Sequence, residues 1–298
     1  MNSGAFGCAL GGAACPLCEG MQSRVIGTSA NGPVVRCAEC TLTYHPTLLC
    51  ADTQQVEPYY GDDEDYDAYR RRKEPEWEDL FARLRRYVRG GRLLDVGCAR
   101  GYSTAVARRL GFDACGIEIS AADARYAQEQ VGVQVHVGTV EKAGFADGSF
   151  DAAVLWSVLE HLTAPAATIA AIARILRPGG ILNIFTPNAG SKAACEQGVA
   201  WIEYNRPGHA VLFSPTTVRR LLQRHRFEPL DVYTTLWARP SQSDSRESRA
   251  ERRGCALAQW CMRPGLAPVR RRIRQLISAL APQAASQGEY MGVYARKA

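Results

Sequence analysis

Two stretches of this 298-residue chain place reactive residue types at spacings that can do chemistry. The first is a pair of knuckles, Cys15-Pro-Leu-Cys18 and Cys37-Ala-Glu-Cys40, with 18 residues between them. Each knuckle sets two thiolates on one tight turn, and two facing knuckles complete a tetrahedral four-sulfur zinc site. Four protein ligands leave no open position, so the metal would be structural and would stabilise a segment too small to fold on its own core. Arg24, Val25, Val34 and Val35 flank Asn31-Gly32, a pattern that predicts a hairpin turning at Asn-Gly. Cys8, His45 and Cys50 are nearby donors, read as bystanders. The second stretch is Leu93-Leu94-Asp95-Val96-Gly97-Cys98-Ala99-Arg100-Gly101, followed by Glu118, 17 residues beyond Gly101. Gly97 and Gly101 let backbone amides approach a ligand closely, and a carboxylate at the end of the next strand can accept two ribose hydroxyls.

These residues need a scaffold, and the apolar pattern supplies one. Trp77, Leu80, Phe81, Leu84, Tyr87 and Val88 recur at helical spacing after Pro75, and Gly90-Gly91 closes that helix. Short apolar runs at 92–96, 112–119, 133–139, 150–157 and 180–186 predict strands. Amphipathic stretches at 102–110, 120–131 and 163–177 predict the helices between them. Ser214-Pro215 opens a helix over 215–226, a sixth strand follows near 229–237, and 288–297 closes the chain as a strand. This alternation predicts an α/β fold, a parallel sheet with helices on both faces. The domain division expected is 1–50 as a zinc ribbon and 51–75 as an irregular connector. Residues 76–298 form the main domain, interrupted by an Arg-rich helical insert at 241–286.

The spacing D-x-G-C-x-x-G differs from the G-x-G-x-x-G of dinucleotide binders, which disfavours nicotinamide-dependent oxidation. It resembles motif I of the class I S-adenosylmethionine (SAM)-dependent methyltransferases. Gly138-Thr139-Val140-Glu141, Phe150-Asp151, Leu159-Glu160-His161-Leu162, Leu176-Arg177-Pro178-Gly179-Gly180, Pro207-Gly208-His209, Phe213-Ser214 and Ala295-Arg296-Lys297 follow in that family's order. The cysteine-bearing start, with Tyr59-Tyr60, looks like the zinc-ribbon subgroup, of the methyltransferase 11 or 23 type. The resemblance covers about 76–240 and 287–298, and it implies a Rossmann-like, mostly parallel sheet whose last strand is antiparallel. It implies that Asp95, Gly97, Cys98 and Gly101 form the loop at the methionine end of SAM, and that Glu118 binds the ribose. Ile119 would flank the adenine and Val140 would pack on its ring. Thr139 stands where the family often has an acid. Trp156 would close over the methyl-bearing sulfur.

SAM carries an activated methyl group, so the protein must mainly align donor and acceptor and in some cases take a proton. Glu160, His161 and His209 are the candidates for that proton transfer. In ubiquinone-type and small-RNA methyltransferases a related Glu-x-x-Glu-His segment with a later His holds a divalent metal; here Ser157 replaces the first Glu. Trp201 to His209 looks like a lid loop, and Tyr204 and Tyr59 are weaker pocket candidates.

The function expected is methyl transfer from SAM to a small molecule, with a hydroxyl of a sugar, lipid-linked or natural-product intermediate favoured. The rivals are an RNA methyltransferase docking through its ribbon and a non-catalytic zinc-ribbon scaffold. Against RNA, residues from Ser241 onward hold 11 Lys or Arg and 4 acids, more than the whole net charge of +6, so the first 240 are close to neutral. The fourth strand also lacks an Asn-Pro-Pro-Tyr type of ending. Val269, Ile273, Leu276, Ile277 and Leu280 share one helical face among arginines, which suggests a packed helix or peripheral membrane contact near 269–280. No run of about 18 apolar residues predicts a spanning helix. The opening residues lack the basic start of an export leader, so a cytoplasmic setting is expected for the 11 cysteines, where closely spaced pairs suggest metal binding rather than disulfides.

Overall fold

The computed structural model describes residues 13–49, 63–235 and 288–298. Cys8, Cys50, Tyr59, Tyr60, the connector up to residue 62 and the 241–286 insert, with its basic helix, lie outside the described residues.

The chain opens with β1 (Ser23–Ser29), β2 (Gly32–Cys37) and β3 (Thr43–Tyr44), then the one-turn α1 (Pro46–Leu49). The hairpin closes on the Ser29–Gly32 pair, so its corners are Ala30 and Asn31. The turn is therefore one residue earlier than Asn31-Gly32. Gly32, at φ 97°, takes the left-handed conformation just past the corner.

α2 spans Asp63–Leu84 with Pro75 inside it. The helix therefore begins well before the Pro75 start that the apolar stripe predicts. Residues 63–74 are five acids, three arginines, a lysine, an alanine and two tyrosines with almost no apolar periodicity, yet most have good helix propensity, and Pro75 removes one backbone bond without ending the helix.

The main sheet is built from β4 (Gly91–Val96), β5 (Phe112–Glu118), β6 (Val135–Val137), β7 (Phe150–Trp156), β8 (Leu176–Pro187), β10 (Phe227–Thr235) and β11 (Tyr290–Lys297). Its order is β10-β11-β8-β7-β4-β5-β6, and only β11 runs against its neighbours. α3 (Tyr102–Arg109), α4 (Ala121–Tyr126), α5 (Pro165–Ile175) and α8 (Pro215–Arg224) cover the strands. Three helix starts are capped as their sequences dictate. Ser120 accepts from Asp123 N–H, Ser191 starts α6 (Lys192–Gln197) by accepting from Ala194 N–H, and Ser214 with Thr217 forms a capping box.

The segment read as a lid, Trp201 to His209, follows a 3-10 turn at Gly198–Ala200 and contains the short α7 (Ile202–Asn205), with Trp201, Glu203 and Tyr204 all buried. It is packed because β9 (Val211–Leu212), which follows it, pairs with β3 to make a separate four-stranded sheet, β1-β2-β3-β9. Leu17, Val35, Leu42 and Tyr44 of the cysteine-bearing segment belong to the same apolar cluster as Leu94, Val96 and Ile184 of the main sheet. No helix among the described residues is long and apolar enough to cross a membrane.

Candidate active site and cysteine cluster

The four knuckle cysteines converge. Cys15 Sγ lies 3.4 Å from Cys40 Sγ and Cys18 Sγ 3.5 Å from Cys37 Sγ. All four sulfurs fall within 4.8 Å of one another. A tetrahedral Zn–S bond of about 2.3 Å requires sulfurs about 3.8 Å apart, so this donor set fits zinc. The neighbouring Cys40 thiol lowers the pKa of Cys15 while burial opposes it. His45 stands outside the set.

At the carboxyl end of β4 the chain makes a sharp turn. Gly97, Ala99 and Gly101 have φ of 68°, 46° and 77°. A Cβ on Gly97 would come within 2.6 Å of Val158, and one on Gly101 within 2.5 Å of Val133, so both positions require glycine. Asp95, wholly buried, accepts from the Ser103 and Thr104 hydroxyls at 2.6 and 2.7 Å, which ties the strand end to α3. Burial pushes its carboxyl up to about 6 despite these bonds.

Glu118, at the end of β5, accepts the Ala99 N–H at 2.8 Å on one oxygen and the Ser120 N–H at 2.9 Å on the other. Each oxygen keeps a further lone pair, so the carboxylate both holds the glycine loop and can accept two hydroxyls. Ile119 beside it is exposed, and Trp156 at the end of β7 is half-buried and stacked on Phe185 at 4.1 Å. An open glycine loop, a carboxylate and apolar side chains at one sheet edge fit a nucleoside with a sulfonium tail. Val140 is 1% exposed within the main core cluster, and the Cys98 side chain is buried against Gly116.

On the far side of β7 the structure brings together all three proton-transfer candidates. Ligand atoms of Glu160, His161 and His209 lie within 4.8 Å of one another, and the two imidazoles meet edge to face at 4.7 Å. His161 Nδ1 is 3.1 Å from the Gly208 carbonyl and His209 Nδ1 is 3.0 Å from the Glu203 carbonyl. A carbonyl only accepts, so both Nδ1 atoms carry the proton and both Nε2 atoms present a lone pair. Burial lowers His161 to about 4, and burial together with its neighbour lowers His209 to about 3. Glu160 accepts from Thr186 at 2.9 Å, and burial reinforced by nearby Glu203 raises it to about 8. Ser157, at φ 54°, stands in the strained position directly after β7.

Sequence reasoning missed Glu203, a buried carboxylate that accepts from Tyr290 at 2.7 Å and from Arg206 at 3.1 Å. Its signal was one acid inside the aromatic run Trp201-Ile-Glu-Tyr, which only burial explains. Phe185 and Tyr290, stacked at 5.5 Å, continue the aromatic wall begun by Trp156 and were equally invisible.

The histidine pair gives a pH prediction. A histidine whose folded pKa lies below its unfolded value leaves stability intact above about pH 6.5 and costs stability as pH falls toward the folded value. Over pH 6.5 to 4, without added divalent cation, the wild type should lose about 2 kcal/mol more than His209→Gln. The raised Glu160 works in the opposite direction in both proteins and cancels in the difference. Denaturant midpoints against pH measure it, and parallel curves would show that His209 is not held neutral.

The comparisons with known proteins agree with this fold. A SAM-dependent methyltransferase from Thermotoga maritima has the same fold, with a TM-score of 0.53 at 19% identity over 79% of this chain and 95% of that one. Geranyl diphosphate C-methyltransferase from Streptomyces coelicolor reaches 0.50 at 17% identity over 83% and 90%. The fold is that of the class I SAM-dependent methyltransferases. Residues 66–232 match the family described as methyltransferase domain, and the chain belongs to that family. Among curated proteins, a ubiquinone biosynthesis O-methyltransferase of Xanthomonas oryzae pv. oryzae is 37% identical over 121 residues, 39% of this chain and 50% of that protein. The protein of the same name in Methylococcus capsulatus is 32% identical over 119 residues, 38% and 50% of the two chains. The chain thus spans about half the length of the curated relatives it matches.

Proposed function

We propose that this protein is a SAM-dependent methyltransferase that methylates a hydroxyl of a small-molecule acceptor, a sugar, lipid-linked or natural-product intermediate. The observation that carries the reading is the Gly97–Gly101 loop held to Glu118, opposite the Glu160, His161 and His209 cluster across the end of β7. Bound SAM supplies the activated methyl group. Asp95 and the glycine loop hold its methionine end, Glu118 its ribose, Ile119 its adenine, and Trp156 shields the sulfur from water. His161 or His209 takes the acceptor's proton at Nε2, since burial keeps both rings neutral. The names of the curated relatives favour oxygen as the methylated atom.

The approach of Glu160, His161 and His209 favours a second version, in which these three hold a divalent cation that binds the acceptor. The zinc of the four-cysteine site remains structural, the setting cytoplasmic, and the division 1–50, 51–75 and 76–298 stands as part of the proposal. The test is calorimetric titration of the zinc-loaded chain with SAM, with NADH as control. S-adenosylhomocysteine formation is then followed on catechol and sugar acceptors, with and without Mg2+. Micromolar SAM binding is expected. Folded protein that binds no SAM would overturn the reading and leave a zinc-ribbon scaffold.

A further inference from the structure

The hairpin tip of the cysteine-bearing segment reaches the acceptor side of the site. Asn31 Nδ2 donates to the Tyr204 carbonyl at 3.1 Å and to the Arg206 carbonyl at 2.6 Å. Beside it, the Ala30 N–H donates to Asn205 Oδ1 at 2.9 Å. Three bonds from two adjacent residues thus grip 204–206. A second grip lies just downstream. β3 pairs with β9, and the His45 N–H donates to the Ala210 carbonyl at 2.9 Å. The Ala210 N–H in turn donates to the Glu160 carbonyl at 2.8 Å. Between the two grips run only Pro207, Gly208 and His209. That short span carries the carbonyl bound by His161 and the ring of His209 itself.

We infer that Asn31 is a positioning residue: through its two amide bonds it fixes the 207–209 span, and with it the relative placement of His161 and His209. This rests on the methyltransferase reading for its purpose and on the hydrogen bonds alone for its geometry. It gives the ribbon an internal task, in which the four-cysteine site braces the hairpin that sets the acceptor-side histidines. The SAM-side loop is tied instead to β5 and α3, so it is independent of Asn31.

The test uses the full zinc-loaded chain carrying Asn31→Asp, which keeps the side-chain shape but turns two donors into a carboxylate facing two carbonyls. Amide hydrogen exchange over 203–212 should speed up roughly ten-fold, the effect of losing two hydrogen bonds in one local opening unit. The ring signals of His161 and His209 in NMR spectra should shift, and those of His136 and His225 should not. The chain has only five histidines, which makes their assignment by substitution direct. Zinc content and SAM affinity should match the wild type. Unchanged exchange and ring signals would overturn the inference. So would acceleration spread equally over β4 and β5, because Asn31 would then be an ordinary stabilising residue. If Asn31→Asp does not fold, Asn31→Ser, which keeps turn chemistry but lacks the reach, is measured in the same way. Failure of the wild type to bind SAM would count against the methyltransferase reading, whatever the Asn31 variants do.

Discussion

Glu118→Ala should weaken SAM binding about one hundred-fold while the chain stays folded. The carboxylate has two tasks that alanine abolishes together. It accepts the Ala99 and Ser120 N–H groups, and in the proposed function it would offer its remaining lone pairs to the ribose. Hydrogen bonds to a charged group contribute about 1.5–3 kcal/mol each, so losing the ribose pair alone reaches the stated factor. Freeing Ala99, whose φ of 46° is held by that bond, adds a loop that must be ordered again on binding. Glu118→Gln should fall between, at about ten-fold, because its NH2 must face one of the two backbone donors. Calorimetry at neutral pH measures both variants. A dissociation constant within two-fold of wild type for the alanine variant would remove Glu118 from the site.

Withdrawing zinc should lower the melting temperature by roughly 10–20 °C. In isolated zinc modules the metal supplies about 10–16 kcal/mol of folding free energy. Here strand pairing to β9 and burial in the shared core keep part of the segment in place, so an effect on the order of 5 kcal/mol is expected, at about 2–4 °C per kcal/mol. The loss spreads because Leu17, Val35, Leu42 and Tyr44 lie in one apolar cluster with the central strands. Cys37→Ser should reproduce the chelator, and a dye assay should find one zinc per wild-type chain. A melting temperature that moves by less than about 2 °C on chelation would show that the four sulfurs hold no structural metal.

Much of this molecule was legible along the chain because the features that encode it are local. The knuckles, the glycine turn, the Ser214 cap and the alternation of apolar runs each depend on residues within a few positions of one another, and each appears where expected. The boundary misses have local causes as well. Residues 63–74 form helix by propensity without an apolar stripe to announce it, and the hairpin corner moved by one residue to keep the strand register.

What only the tertiary structure decided is which distant segments meet. The two-residue β9 carries no periodicity, yet its pairing with β3 puts Thr43 against Leu212, 169 residues away. That pairing buries the 201–209 segment, fixes the tautomers of His161 and His209, and leaves Glu203 to accept the hydroxyl of Tyr290 from 87 residues further on. The neutrality of the two imidazoles and the raised carboxyl of Glu160 arise from burial. Desolvation is a property of everything packed around a group. Residue order specifies which side chains are present, but the environment that sets their charge comes from contacts across the whole fold.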